Sequence, residues 1–514
     1  MLLTCRFAET TKDRLMKNDL KALHVAIIGA GPIGLAAAAQ LVRRGFVPAI
    51  FEAGPTVGMH LESYRHVKLF SPWRYNIDAA ARALLESRRW VEPELDHLPT
   101  AGELVDRYLA PLSAIPAIAS GLHLGHRVIC VSRDGFDKAK SKGREAAAFV
   151  IRCSTPEGEV EHRADAVIDA SGTWGKPNPL GANGLPAIGE VEAASRISYG
   201  MPDILGGERA RYAGKRVVVA GAGHSAAGSL LALAKLAEEA RGTQLVWTIR
   251  GHDFSRIFGG GENDGLVARG ALGKRLQGLS ESGSLEVHAD FRTVAIRQGA
   301  TGLAIDGIGP DATSRSIDRV DEIIVAAGGR PDLSITSELR LKLDHWIEST
   351  EQLAPLIDPN VHSCGTVRPH GHRELSHPEA RFYTIGAKSY GRAPNFLIAT
   401  GHEQARSVVA ALAGDLAAAD DVQLELPETG VCSTRFDEAS SGCCSNEPAE
   451  PIAVGRSVAP AAAPAATRSS CCGGPPQKVA LACCAQDEDA KQAGKAGCGS
   501  ARSQGKQPAT RCGG

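Results

Sequence analysis

The sequence predicts an α/β fold of two strand–turn–helix–strand units, followed by a tail too poor in apolar residues to build a core. Three observations predict it. Glycine-rich turns at Gly29 and Gly221 each follow a short apolar run and precede an alanine-rich helical stretch. Further strand-like runs lie near 127–133, 148–153 and 165–170, near 284–297 and 320–326, and at Arg381–Ile385, with a helix-like stretch from about Asn395 to Ala413. From Asp437 to Gly514 there is no Phe, Trp or Tyr, and Ala, Gly, Ser, Pro and Cys dominate.

Composition narrows the function before any motif is read. A chain of 514 residues has room for two or three domains, and 43% hydrophobic with 22% charged residues is ordinary for a globular protein. A formal net charge of -1 and 5% aromatic content argue against nucleic-acid and membrane-surface partners. The apolar window Val25–Val42 has about the length of a membrane span. Gly29, Gly31, Pro32 and Gly34 interrupt it, so a buried strand, turn and helix is the better reading. The first 20 residues carry Lys12, Arg14, Lys17 and Asp19 and no apolar block with a cleavage site, so a cytoplasmic location is expected.

Val25–Ile28 reads as a buried strand, and Gly29-Ala30-Gly31-Pro32-Ile33-Gly34 follows it at the mouth of a helix. In that setting Gly29 permits the tight turn, Gly31 lets a pyrophosphate approach the backbone, and Gly34 lets helix and strand pack closely. The helix N-terminus adds amide donors and a positive dipole end for phosphate. The next strand, Pro48–Phe51, ends in Glu52, 23 residues after Gly29, where an acid accepts hydrogen bonds from ribose hydroxyls and repels a 2′-phosphate.

The second unit begins at Arg216–Ala220 and turns through Gly221-Ala222-Gly223-His224-Ser225-Ala226. Its following strand, Gln244–Ile249, ends at Arg250, a cation suited to a 2′-phosphate, with His252 nearby. Two such Rossmann-like dinucleotide-binding units in one chain predict a resident flavin, FAD, in the first and NADPH in the second, with a hydride passing between them.

On these motifs the chain resembles the two-dinucleotide-binding-domain flavoproteins, which include flavin-containing monooxygenases, N-hydroxylating monooxygenases and pyridine nucleotide–disulfide oxidoreductases. The resemblance spans residues 22–415. Val167–Thr173 is similar to the family's crossing from the FAD to the NADPH domain, Val325–Asp332 to the return crossing, and Tyr383–Gly386 to the late strand that brings the chain back to the flavin. It implies that Gly172, Gly329 and Gly386 contact cofactor. Where many relatives carry an acid after that last glycine, this chain has Ala387. Three longer phrases, Ala170–Glu190, Phe258–Gly270 and Ala387–Gln404, together with the cysteine-rich tail, resemble flavoproteins of bacterial arsenic-resistance operons.

A disulfide reductase of this family needs C-x4-C after the first glycine turn or C-x-x-C in the NADPH domain. No cysteine lies between Cys5 and Cys130 or between Cys153 and Cys364. A monooxygenase asks less of its side chains, and the stretch Ser63–Asn76 runs beside the flavin in relatives. Trp73 is expected to cover the ring, Asn76 to hydrogen-bond a flavin-bound peroxide, and His66 or Arg74 to bind an anionic substrate or phosphate. The run Gly259-Gly260-Gly261 suggests a mobile loop near the nicotinamide. The F-x-G-x-x-x-H signature of Baeyer–Villiger and flavin-containing monooxygenases is lacking, so ketone oxygenation is not supported.

Nine of the 13 cysteines fall between Cys432 and Cys512, including the pairs Cys443-Cys444, Cys471-Cys472 and Cys483-Cys484. Adjacent cysteines make strained disulfides but place two thiolates on one soft ion, such as zinc, Cu(I) or trivalent arsenic.

The expected organisation is an N-terminal extension (1–21), a FAD-binding domain in two parts (22–190 and 335–417), an inserted NADPH-binding domain (195–332) and a disordered cysteine-rich tail (418–514). The expected function is NADPH-dependent, FAD-dependent oxidation of a small molecule or metalloid with O2, of the monooxygenase type and linked to arsenic resistance, with a homodimer as one option for its assembly. The alternatives are a thiol or metalloid reductase with the tail as redox arm, and a thiolate metal-binding protein whose flavin domain is not catalytic.

Overall fold

The computed structural model describes residues 23–252, 254–258, 267–362 and 367–424. Val25–Ile28 (β1) and Pro48–Phe51 (β2) flank the helix Pro32–Arg43 (α1), and Leu122–His123 (β3) is a short third strand. Arg127–Arg133 (β4), Phe149–Thr155 (β5) and Gly158–Ala164 (β6) precede Ala166–Asp169 (β7). Next come Ile197–Tyr199 (β8), Arg216–Ala220 (β9), the helix His224–Glu239 (α2), Gln244–Thr248 (β10), the helix Val267–Glu281 (α3) and Leu285–His288 (β11). Arg292–Gly299 (β12), Gly302–Ile308 (β13) and Ser314–Val320 (β14) lead to Glu322–Val325 (β15), and Phe382–Thr384 (β16) precedes the helix Ile398–Leu412 (α4).

These strands form two five-stranded sheets, ordered β16-β7-β1-β2-β3 and β11-β10-β9-β15-β8, in which every pairing is parallel. The first sheet takes strands from both sides of the second, so the second is inserted in it. Parallel strands are covered on both faces, and alternate side chains show how. Val25 and Ile27 of β1 join the core under α1 and α4, while Ala26 and Ile28 join Val131, Phe149 and Ile151 of the antiparallel trio β4–β6. The second sheet repeats the plan. Val217 and Val219 face α2 and α3, while Val218 and Ala220 face β12–β14.

Three expectations are corrected. The run 284–297 is two strands, broken where Asp290 adopts φ 51. Residues from about Leu180 to Ile188 pack with the second sheet and not the first: Leu180 shares a core with Val218 and Phe291, and Ile188 bridges Ala295. The tail was expected to begin at 418, yet Leu416–Asp420 is helical, and Asp420 accepts from Arg373 and His372. The strands β6, β13 and β14 were not anticipated. β6 is exposed at most positions, which leaves no apolar alternation to read.

Candidate functional site

The first glycine turn is built by steric necessity. Gly29 has φ +98, and a Cβ there would stand 2.9 Å from the Ala170 carbonyl oxygen. At Gly34 the clash would be absolute, 1.9 Å from the Gly29 oxygen, so the helix can start here only with glycine. Gly31 differs: a Cβ on it would meet nothing within 4 Å. That open side faces a cavity of about 410 Å³ lined by Gly29, Gly31, Pro32, Ile33 and Glu52. Both Glu52 oxygens are partly engaged, because the Ala30 N–H donates to Oε2 at 2.8 Å and the Gly54 N–H to Oε1 at 2.9 Å. Its buried carboxylate therefore shapes the turn and still borders the cavity.

The far wall comes from the two late crossings. Gly172 and Gly386 line the cavity, Gly386 with φ +73 and its N–H donating to Gln404 at 2.8 Å. Gly329 does not line it. It is bridged to Pro177, and an added Cβ would lie 2.6 Å from the Thr173 carbonyl oxygen, so its glycine serves the crossing of two chain segments. Arg330 and Asp332 reach the cavity in its place. Sequence reasoning missed Lys388. Its side chain is 1% exposed, its Nζ donates to Asp169 Oδ2 at 2.6 Å and to Ser171 Oγ at 3.1 Å, and Lys388 and Ser171 line the same cavity.

In the second unit Gly221 would carry a Cβ 2.3 Å from the Ala326 oxygen, Gly223 faces open space, and Ala226 is fully buried. This repeats the roles of Gly29, Gly31 and Gly34 with alanine as the close-packed residue. Arg250 is exposed just past β10, its Nη1 3.2 Å from the Ala182 carbonyl oxygen. His252 lies 3.4 Å from Asp290.

His224 and Ser225, at the start of α2, line a second cavity of about 760 Å³. The two cavities share Tyr64, Phe396 and Ile398. Of the site candidates in the stretch 63–76, His66 and Asn76 line this second cavity, and the Phe70 ring meets His224 edge-on at 5.2 Å. Trp73 does neither: it is 0% exposed in the core, with Arg107 over its ring, because its short helix turns it inward. The aromatic pair at the first cavity is Tyr64 and Trp174, 4.5 Å between centroids, where burial pushes the Tyr64 hydroxyl up to about 12. Arg74 is ion-paired with Asp96. Asn76 is fully buried. Its Nδ2 donates to the carbonyls of Ser71 at 2.7 Å and Pro72 at 3.0 Å, which fixes Oδ1 as an acceptor with no partner among the described residues.

The described cysteines, Cys130 and Cys153, sit on the adjacent strands β4 and β5 and line neither cavity. Burial, then the neighbouring Cys130, pushes the Cys153 thiol up to about 11, which suppresses thiolate chemistry. The tail pairs Cys443, Cys444, Cys471, Cys472, Cys483 and Cys484, the run Gly259–Gly261 and residues 1–21 lie outside the described residues. No helix among the described residues is long and apolar enough to cross a membrane.

Two parallel sheets, one inserted in the other and each opened by a close-packed glycine turn, give the two-unit architecture expected from the sequence. The family model for an NAD(P)-binding Rossmann-like domain matches residues 27–98. Among solved structures, the chain is similar to the bacillithiol disulfide reductase of Bacillus cereus: 18% identity, TM-score 0.56, with 76% of this chain and 99% of that chain covered. It is likewise similar to the FAD-bound cadaverine monooxygenase of Erwinia amylovora: 14% identity, TM-score 0.55, covering 82% and 99%. For the ornithine hydroxylase of Pseudomonas aeruginosa the values are 15% and 0.51, covering 77% and 99%. No curated protein sequence matches the chain. At these identities the likeness is one of fold.

Proposed function

We propose that the chain is an FAD-dependent, NADPH-using oxidoreductase of the monooxygenase type, acting on a small molecule with O2. The observation that carries this reading is the junction of the two cavities at Tyr64, Phe396 and Ile398. Gly31, Glu52, Gly172, Gly386 and Lys388 would hold FAD, and Gly223, His224, Ser225 and Arg250 would hold NADPH. The open Cβ sides of Gly31 and Gly223 leave each turn room for a pyrophosphate. Bound there, the two cofactors supply hydride transfer and oxygen activation. Phe396 and Ile398 would keep water from the junction, and Asn76, whose Oδ1 is without a partner among the described residues, would be the acceptor nearest a ligand donor in the second cavity. No described cysteine reaches either cavity, which favours an oxygenase over a dithiol relay. The link to metalloid resistance rests on the three sequence phrases and the cysteine pairs of the tail.

A second reading, a thiol or metalloid reductase with the tail as redox arm, draws on the fold likeness to the bacillithiol disulfide reductase. Cutting the chain after Leu424 separates the two. NADPH-dependent oxygen uptake that survives the cut is the expected result. Turnover under nitrogen that the cut abolishes would favour the reductase. Arsenite or zinc binding with no NADPH-linked flux would leave only the thiolate binder.

Nucleotide choice has its own test. Arg250→Ala is expected to raise the KM for NADPH about tenfold and leave that for NADH alone, since one charge-assisted contact to the 2′-phosphate is lost. Equal changes for both nucleotides would remove Arg250 from the site.

A further inference from the structure

The second cavity does not stop at the α2 N-terminus. Its lining follows α2 through Ser225, Gly228, Ser229 and Ala232, which extends to about 12 Å from His224 at the helical rise. Small side chains on that face hold the space open, and a Cβ on Gly228 would meet nothing within 4 Å. Across from it, α3 presents Ala268, Leu272 and Arg275 at helical spacing, and Leu98 and Leu205 add apolar wall.

Charge in this chamber is one-sided. Among the described lining residues, the cations Lys68 and Arg275 face a single acid, Asp203, whose oxygens already accept the Gly206 and Gly207 N–H groups at 3.1 and 2.9 Å. The Lys68 and Arg275 side chains make no hydrogen bond or ion pair with the described residues. The cation assigned to the nucleotide 2′-phosphate, Arg250, is not among the chamber's lining residues. Unpaired cations beside an apolar wall favour a ligand that brings both a negative head and a hydrocarbon body.

We propose that this chamber binds a small organic anion with an apolar body, and that Lys68 and Arg275 select it by charge. The assignment rests on the oxidoreductase reading for what becomes of the ligand, and on the chamber alone for its binding.

The test titrates the FAD-loaded full chain with decanoate, decanol and decyltrimethylammonium, following the perturbation of the flavin spectrum and the melting temperature. Decanoate is expected to bind saturably and about tenfold more tightly than either analogue, and Lys68→Glu and Arg275→Glu each to weaken it about tenfold. Gly228→Leu, which fills the chamber, is expected to abolish binding, and flavin content checks that each variant is folded. Equal binding of the three probes, or decanoate affinity indifferent to both charge reversals, would overturn the proposal. Anaerobic bleaching of the flavin by NADPH, measured on the same preparations, tells the two failures apart. Bleaching without decanoate selectivity sinks only the anion site, and selectivity without bleaching sinks only the oxidoreductase reading.

Discussion

Gly31→Val is expected to give folded protein that has lost FAD, whereas Gly34→Ala is expected to lose both FAD and stability. The two glycines are three residues apart in one motif, and the structure separates their roles. A side chain at Gly31 enters the open cavity, so nothing in the protein is displaced and only the pyrophosphate is excluded. Blocking the seat of the pyrophosphate in this way is expected to weaken FAD binding on the order of a hundredfold or more. A methyl group at Gly34 would stand 1.9 Å from the Gly29 oxygen, and backbone cannot swing aside as a flexible side chain can. The strand and α1 must separate, and the core that Leu35 and Ala38 share with Ile27 and Ile50 opens with them. Flavin absorbance and thermal melts of the two purified variants check this. A Gly31→Val protein that stays yellow at wild-type FAD affinity would contradict the assignment of the cavity.

The second large effect is expected at Lys388. Its ammonium and the Asp169 carboxylate are 1% and 0% exposed, so each charge depends on the other. Removing one partner of such a buried pair costs about 3–5 kcal/mol, because the remaining charge is left without water or counterion. Lys388→Met is therefore expected to lower the melting temperature on the order of 5 °C, taking the usual unfolding entropy of a chain this size. Because Lys388 and Ser171 also line the first cavity, FAD affinity should fall with it. The double variant Lys388→Met with Asp169→Asn, which removes both charges, is expected to recover much of the stability and little of the FAD affinity. A double variant no more stable than the single would show that the pair's charge is not what matters.

The parts of this molecule that sequence made legible are those whose physics is local. Strand, glycine turn, helix and following charged residue lie within one short window in each unit, so the turn glycines Gly29, Gly31 and Gly34, Glu52 after β2 and Arg250 after β10 could be put on their elements from spacing alone. Lys388 was not legible because its partner is 219 residues away, and nothing near Lys388 distinguishes a buried lysine from a solvated one. Trp73 illustrates the opposite error. Proximity in sequence to flavin-side residues suggested a ring cover, but the direction of a side chain depends on the short helix at Trp73–Tyr75, which turns it into the core. Asn76 was found as a polar residue, while the fact that Oδ1 is its unpartnered atom needed the carbonyls of Ser71 and Pro72. The chamber along α2 was hidden for a different reason. Gly228, Ser229 and Ala232 read equally well as a close helix-packing face, and only the position of α3 shows that the space beside them is open.

The oxidoreductase reading depends on two nucleotide cofactors meeting where the cavities join. Mixing the purified yellow protein with NADPH in the absence of oxygen measures that meeting directly. Loss of the flavin's visible absorbance, matched by NADPH consumed, is the predicted result. Protein that takes up FAD but keeps its colour under excess NADPH, or that takes up no FAD at all, would contradict it.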